Sequence, residues 1–342
     1  MKDQERDIEL SPALKDAVER LPRHIEPPQD LWPGIRDRIE RGRAGKGGEW
    51  RGWGGLRVWI PLAAAAAVAG ILLLRPRSET WEVERVAGAP RVNDVLLGAG
   101  GTMRVGQWLV TDDSSRASIA VGEIGRVDVR PGTRVRLVRA RSTDHRLALA
   151  YGAIHAKVSA PPRLFFVETP SGTAIDLGCE YVLETDASGH GLLYVTGGYV
   201  EFAWRGTSSI VPLDAYAATR PGQGPGTPYV SDAPEALRQA LAAFDFESGG
   251  SVAVRAALRA ARSEDAVSLW HLLARVAPEE RGEVYDRLAE LVPPPDGVTR
   301  ARAIVLDRET LDRYWNLISR IHFRIVVLRG LKDVDAKTGR AK

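Results

Sequence analysis

From Val58 to Leu74 the chain reads VWIPLAAAAAVAGILLL, a run without a single charged residue. At about 1.5 Å of helical rise per residue it would extend roughly 26 Å, near the lower limit for crossing a hydrocarbon core of about 30 Å. Arg57 closes one end, Arg75 and Arg77 close the other, and Trp50, Trp53 and Trp59 crowd the N-terminal side as aromatic rings do at a headgroup layer. The pattern predicts a transmembrane helix with its ends at Val58 and Leu74. Two other readings are an Ala-rich helix buried in a core and a cleaved secretory leader. A core helix seldom lacks a polar stripe while carrying arginine at both ends, and a leader would start earlier and be followed by a small-x-small cleavage site.

Basic residues set the expected orientation. Arg38, Arg41, Arg43, Lys46, Arg51 and Arg57 precede the run, against Arg75, Arg77, Arg85 and Arg91 after it. Lysine and arginine are retained on the cytoplasmic side, so the N-terminus is expected inside and the longer part outside.

The inner segment, 1–45, carries two short amphipathic patterns. Ser11 and Pro12 form a helix start, after which Leu14, Ala17, Val18 and Leu21 share a face before Pro22 ends it. Asp30 can cap a second helix in which Leu31, Ile35 and Ile39 align, with Trp32 and Pro33 in the first turn. Stripes this small cannot close a core by themselves. Leu14, Val18, Leu21, Leu31, Trp32, Ile35 and Ile39 are therefore expected to be buried on a partner, with an inert anchor lying on the lipid surface as the other reading. Residues 46–57 form a basic, Gly-rich linker.

The charges exclude one class of partner. A net charge of +3 is the small difference between 47 basic and 44 acidic residues spread along the chain, which argues against direct nucleic-acid binding. One cysteine, Cys179, allows neither an intrachain disulfide nor a multi-thiolate zinc site, and its strand context (AIDLGCEYVLE) reads as a small buried hydrophobe. His24, His145, His155, His190, His271 and His322 are dispersed, with no HExxH, so no metal and no cofactor is expected. No serine sits in a Gly-x-Ser-x-Gly elbow. The pairs Asp112/Asp113 and Glu264/Asp265 fall in turns or helix starts, and RPGQGPGT (Arg220–Thr227) lacks the Gly-Lys-Ser/Thr ending of a phosphate loop. No catalytic residue is expected and the chain does not read as an enzyme.

Residues 81–230 change character. Short apolar alternations such as Val105–Val110, Ala117–Val121, Thr133–Val138, Arg146–Leu149, Ile154–Val158 and Glu180–Glu184 are separated by Gly, Pro, Asp and Ser at intervals of about ten residues. This predicts an all-β domain built as a sandwich, barrel or stack of hairpins. From 231 to 330 the period turns helical, with a cap pattern at Asp232, Pro234 and Glu235 and a core of Leu269, Trp270, Leu272, Leu273, Tyr285, Leu288 and Leu291. Asp307 caps a last helix whose continuation, IHFRIVVLRGL, either packs on the preceding helices or meets a partner or membrane surface. Residues 331–342 are expected to be a disordered tail.

Within the β region an ordered series resembles the FecR domain family. It runs Gly106, Leu109, Val110, Thr111; Ser115, Arg116, Ala117, Ile119, Val121; Gly125, Val127, Val129, Pro131, Thr133, Val135, Leu137. It continues with Leu147, Leu149, Gly152, Val158; Phe166, Val167, Thr169, Pro170, Gly172, Ala174; Leu177, Gly178, Tyr181, Val182; and Val195, Gly198, Val200. The resemblance covers about Val83 to Thr219. Cys179 stands where the family usually has Thr, and Glu123–Arg126 replaces its usual Asp-Gly-Ser-like turn. The resemblance implies an all-β FecR-like domain of β-solenoid or hairpin-stack type, which with the patterns above gives a multidomain fold: a short cytoplasmic α segment, one transmembrane helix, that β domain, and a C-terminal α-helical domain. It implies a single-pass regulator in a bacterial inner membrane, with the N-terminus cytoplasmic and the C-terminal domains periplasmic. Such a regulator would hold an ECF-type sigma factor inside and sense an extracytoplasmic protein or envelope signal outside. Many anti-sigma domains bind zinc through a His-x3-Cys-x2-Cys run, and His24 has no cysteine near it, so a module here would be zinc-independent. The competing reading is a membrane-tethered structural or ligand-binding β module with an inert N-terminal tail.

Overall fold

The computed structural model describes residues 80–338. They belong to one compact unit, Leu74–Lys342. The chain enters through β1 (Thr80–Ala87), β2 (Arg91–Val92), β3 (Val95–Leu96), β4 (Gly100–Arg104), β5 (Trp108–Val110), β6 (Arg116–Val121), β7 (Gly125–Val129), β8 (Arg134–Arg141) and the long β9 (Asp144–Val158). It continues through β10 (Phe165–Thr169), β11 (Gly172–Asp176), β12 (Glu180–Thr185), β13 (Gly191–Gly197), β14 (Tyr199–Trp204), β15 (Thr207–Pro212), β16 (Ala215–Arg220), β17 (Gly224–Pro225) and β18 (Tyr229–Val230).

Pairing sorts these strands into two layers. The first runs β4–β1–β6–β7–β9–β12–β13–β16, with β17 and β18 on the far side of β16. The second runs β3–β2–β5–β8–β9–β10–β11–β14–β15. All pairings are antiparallel except β9 with β10. Successive strand pairs alternate between the layers, so the chain climbs as a stack of hairpins, and inward residues of both layers form one apolar core. Leu109, Val135, Leu137, Leu147 and Leu149 face Ile119, Val127, Ile154, Tyr181 and Leu193 across it, all buried. The layers end in edge strands and form no closed barrel.

β9 belongs to both layers. Its first half pairs with β8 and β10, its second half with β7 and β12, and the change of layer falls at Gly152. There φ is +94°, and an added Cβ would lie 2.4 Å from the Cα of Thr133 and 2.7 Å from the carbonyl oxygen of Gly132. Only glycine fits such a conformation so close to another backbone.

Six helices follow: α1 (Glu235–Phe246), α2 (Gly250–Ala260), α3 (Ala266–Arg275), α4 (Arg281–Leu291), α5 (Arg300–Ile304) and α6 (Arg308–Thr338). Leu237, Leu241, Val254, Leu269, Leu272, Leu273, Val284, Leu288, Tyr314 and Ile318 build a second core, which Val230 of β18 joins. Asp307 accepts the Thr310 N–H at 3.0 Å and starts α6. At α1 the cap pattern is not used. Pro234 occupies the cap without a side-chain hydrogen bond, while Asp232 lies against Arg262 and Arg329.

Three expectations are corrected. The transmembrane helix bounded by Val58 and Leu74 falls outside the described residues, and among the described residues no helix is long and apolar enough to cross a membrane. The described residues form a mostly β domain followed by helices, and nothing among them supports the inner-membrane placement with a cytoplasmic N-terminus and periplasmic C-terminal domains. The longest helix, α6, is studded with Arg313, Arg320, Arg324 and Arg329, a distribution no lipid core would accept. Finally, the tail expected to be disordered from 331 is helical as far as Thr338.

Candidate functional site

The residues singled out for a partner face, Leu14, Val18, Leu21, Leu31, Trp32, Ile35 and Ile39, lie outside the described residues. Within them, the densest polar chemistry is gathered where the helices grip the last strands of the β domain.

β15 is an edge strand, and edge strands carry backbone groups that need partners. His271 of α3 supplies one. Its Nε2 accepts the Ile210 N–H at 3.0 Å while Nδ1 donates to the Val267 carbonyl at 2.8 Å, which fixes one neutral tautomer. Burial drives its pKa down to about 3, with the nearby Arg275 charge acting in the same direction and the Val267 carbonyl opposing. Trp270 and Trp315 close around the imidazole, with ring centroids 4.9 and 5.6 Å away. One turn further along α3, Arg275 donates to Asp245 of α1 at 3.1 Å, to Ser209 Oγ at 2.6 Å and to the Pro225 carbonyl at 3.0 Å. Asp245, its side chain 6% exposed, also accepts the Thr227 N–H at 2.6 Å and hydroxyl at 3.0 Å. Its pKa is nonetheless raised, because desolvation outweighs the Arg275 charge and the Thr227 bonds.

α6 makes the second grip. His322 donates from Nε2 to the Leu213 carbonyl at 2.6 Å, and burial lowers its pKa although that carbonyl favours the charged form. Arg329 pairs with Asp214 at 3.1 Å and Asp232 at 2.9 Å. Asp214 sits at φ 59° in the turn between β15 and β16 and also accepts the Tyr194 hydroxyl at 3.1 Å. Tyr194 heads a stack of rings, 4.3 Å from Tyr216, which is 5.8 Å from Tyr229. In both histidines the nitrogen facing the sheet is spent on backbone, and Asp245 and Arg275 are spent on each other. The arrangement fastens the helices to the last strands of the β domain and offers no group poised for proton transfer.

A second polar cluster lies inside the β core. Asp176 is fully buried and accepts the Cys179 thiol and, at 3.1 Å, the Gly178 N–H. Burial lifts its pKa to about 6 against the pull of those bonds. The Cys179 thiol is pushed far up by burial and then by the Asp176 charge, so no thiolate is available at neutral pH. Tyr181, at the same place, has a buried hydroxyl without a hydrogen-bond partner. Among the described residues no group of three or more His, Cys, Asp or Glu could hold a metal ion.

In the sequence His271 and His322 stand out only as candidate metal ligands, and Asp245, Arg275 and Arg329 belong to no motif. A locally readable signal existed for one of them: Arg275 at the end of an apolar helix is a charge on an otherwise buried face.

Fold and site together define a two-layer hairpin stack braced at its C-terminal end by a helical bundle. Residues 107–201 of this stack, from the start of β5 into β14, match the family described as FecR protein. Two crystal structures of a candidate anti-sigma factor from Parabacteroides distasonis ATCC 8503, at 1.65 and 2.50 Å resolution, are similar over 34% of this chain at 15% identity, each with a TM-score of 0.31. The chain spans 56% of the length of those structures. No curated protein matches its sequence.

Proposed function

We propose that this chain is a FecR-like regulator that controls a sigma factor of the ECF type. The observation that carries the reading is the FecR match over residues 107–201, which takes in the layer crossing at Gly152 and the Asp176–Tyr181 cluster. A regulatory family of this kind does no chemistry of its own, in keeping with a site whose histidines and ion pairs are consumed in fastening.

In this reading the sigma factor is held by the N-terminal segment, through Leu14, Val18, Leu21, Leu31, Trp32, Ile35 and Ile39. Two amphipathic stripes too small to close a core support that assignment. Trp32 is the anchor, because large aromatic residues concentrate binding energy. The β domain and its helical brace take the input, a protein signal that changes the availability of the N-terminal segment.

The test is co-purification of the full chain with the ECF-type sigma factors of its source organism. One of them is expected to be retained, and Trp32→Ala to weaken the complex by roughly thirtyfold, the scale of a hot-spot truncation. Recovery of no sigma factor above background would replace this reading with a structural or ligand-binding β module carrying an inert N-terminal tail.

A further inference from the structure

On the outer face of the second layer, Trp108 of β5 lies beneath two arginines of β8. The guanidinium carbon of Arg134 is 4.2 Å from the ring centroid and that of Arg136 is 5.1 Å away. Register explains the placement: Trp108 is opposite Arg136, and Val110 is opposite Arg134 and, on its other side, Arg91. The indole attracts each cation, but it does not neutralise either.

Several other arginines of this layer are matched by carboxylates. Arg139 pairs with Asp144, Arg146 with Glu168 at 2.9 Å and Arg163 with Glu201 at 2.5 Å. Arg134 and Arg136 have no carboxylate partner among the described residues, and the Nε of Arg136 is buried without a hydrogen bond. On β9 the position facing Arg136 is Ala148, and beyond it on β10 stands Glu168, which is paired with Arg146. This part of the face holds two like charges and a buried donor with no acceptor.

We propose that Trp108, Arg134 and Arg136 form a docking site for an acidic, extended segment of another protein. Arg134 and Arg136 are two residues apart on one strand, so their side chains stand roughly 6.7 Å apart. Carboxylates at alternate positions of an extended peptide have the same spacing, and each can be held in the bidentate manner that guanidinium favours. The indole beneath the two guanidinium groups holds them in place for that contact.

The test is calorimetric titration of the full chain with three probes. They are an acetylated nonapeptide alternating glutamate and serine, the same peptide with glutamine for glutamate, and a nine-nucleotide oligothymidylate. The glutamate peptide is expected to bind saturably and more weakly as salt rises. The double variant Arg134→Gln/Arg136→Gln should bind it at least about tenfold more weakly, the loss of two charge-assisted hydrogen-bond sets, while its unfolding midpoint stays that of the parent. Trp108→Leu should weaken it by a smaller factor. No binding of the glutamate peptide, equal binding of the glutamine peptide, or an undiminished double variant would overturn the proposal. So would tighter binding of the oligothymidylate, which would assign the patch to single-stranded nucleic acid stacked on the indole. Retention of a sigma factor by residues 1–45 is unaffected by any of these outcomes.

Discussion

The Nε2 atom of His271 accepts the backbone N–H of Ile210 at 3.0 Å, across sixty-one positions of sequence, and in doing so a helix side chain takes the place of the strand that β15 lacks. The bond exists only while Nε2 keeps its lone pair. Protonation would set a donor against a donor in a site that is 4% exposed. Folded His271 titrates near 3 and the unfolded residue near 6.5, so below pH 6.5 the unfolded chain binds a proton that the folded chain refuses. This contribution to stability is complete above about pH 6.5 and declines as pH falls toward 3. The melting temperature followed over that range should drop, and His271→Gln, which can still accept a hydrogen bond, should flatten the decline. His271→Leu leaves the Ile210 N–H without an acceptor and should cost about 1–3 kcal/mol at pH 7 in a denaturant titration.

The ion pair between Arg275 and Asp245 is almost wholly removed from water, with side chains 14% and 6% exposed. Its charges gain from each other roughly what they lose in hydration, so the pair contributes little to net stability, but either half alone is costly. Asp245→Asn should destabilise the protein by about 3–5 kcal/mol, measured by chemical denaturation, since the Arg275 charge would stay buried. The double substitution Asp245→Leu/Arg275→Met should recover most of that loss. A double variant as unstable as the single one would mean that the bonds to Ser209 and Thr227, rather than the charges, hold the joint.

Gly152 is where β9 passes from one layer to the other, and both its φ of +94° and the 2.4 Å clearance to Thr133 exclude a side chain. Gly152→Ala should therefore cost roughly 2–4 kcal/mol, combining an unfavourable backbone conformation with a clash against backbone that cannot swing aside. Gly206, with φ +87° and nothing within 4 Å of an added Cβ, is the control. Gly206→Ala carries only the conformational part of that cost and should shift the unfolding midpoint less.

What the sequence made legible follows the range of the interaction. Alternation found β12 within a residue of its true bounds, and the helical period found Leu269, Leu272, Leu273, Tyr285 and Leu288, all of which are buried. Each of those patterns is written within one turn or a few residues. β9 was harder, because Tyr151 and Gly152 interrupt the alternation and divide it into two apparent strands, Arg146–Leu149 and Ile154–Val158, where one strand of fifteen residues changes layer. The acidic residue before α1 was misjudged for a related reason: Asp232 answers to Arg262 and Arg329, partners that no local pattern predicts. The joint itself was invisible, since the worth of His271 depends on an edge strand sixty-one residues upstream. Trp108 with Arg134 and Arg136 was unreadable as a group until the register placed β5 beside β8.

Cys179 is the chain's one thiol, and its surroundings make it a reporter of opening rather than a reactive group. It is buried, it donates to the Asp176 carboxylate, and burial with that neighbouring charge pushes its pKa far above the usual range. Thiolate is the reacting species toward disulfide reagents, so the folded protein should be silent to Ellman's reagent at pH 8 while the unfolded chain reacts at once. In rising denaturant the labelling rate should follow the population of open molecules, because the reagent reaches the sulfur only when the β core separates. Asp176→Asn removes the charge that opposes thiolate formation yet leaves the site closed, and should leave the native protein equally silent. Prompt labelling of the folded parent would show that the core around Asp176, Cys179 and Tyr181 admits small molecules.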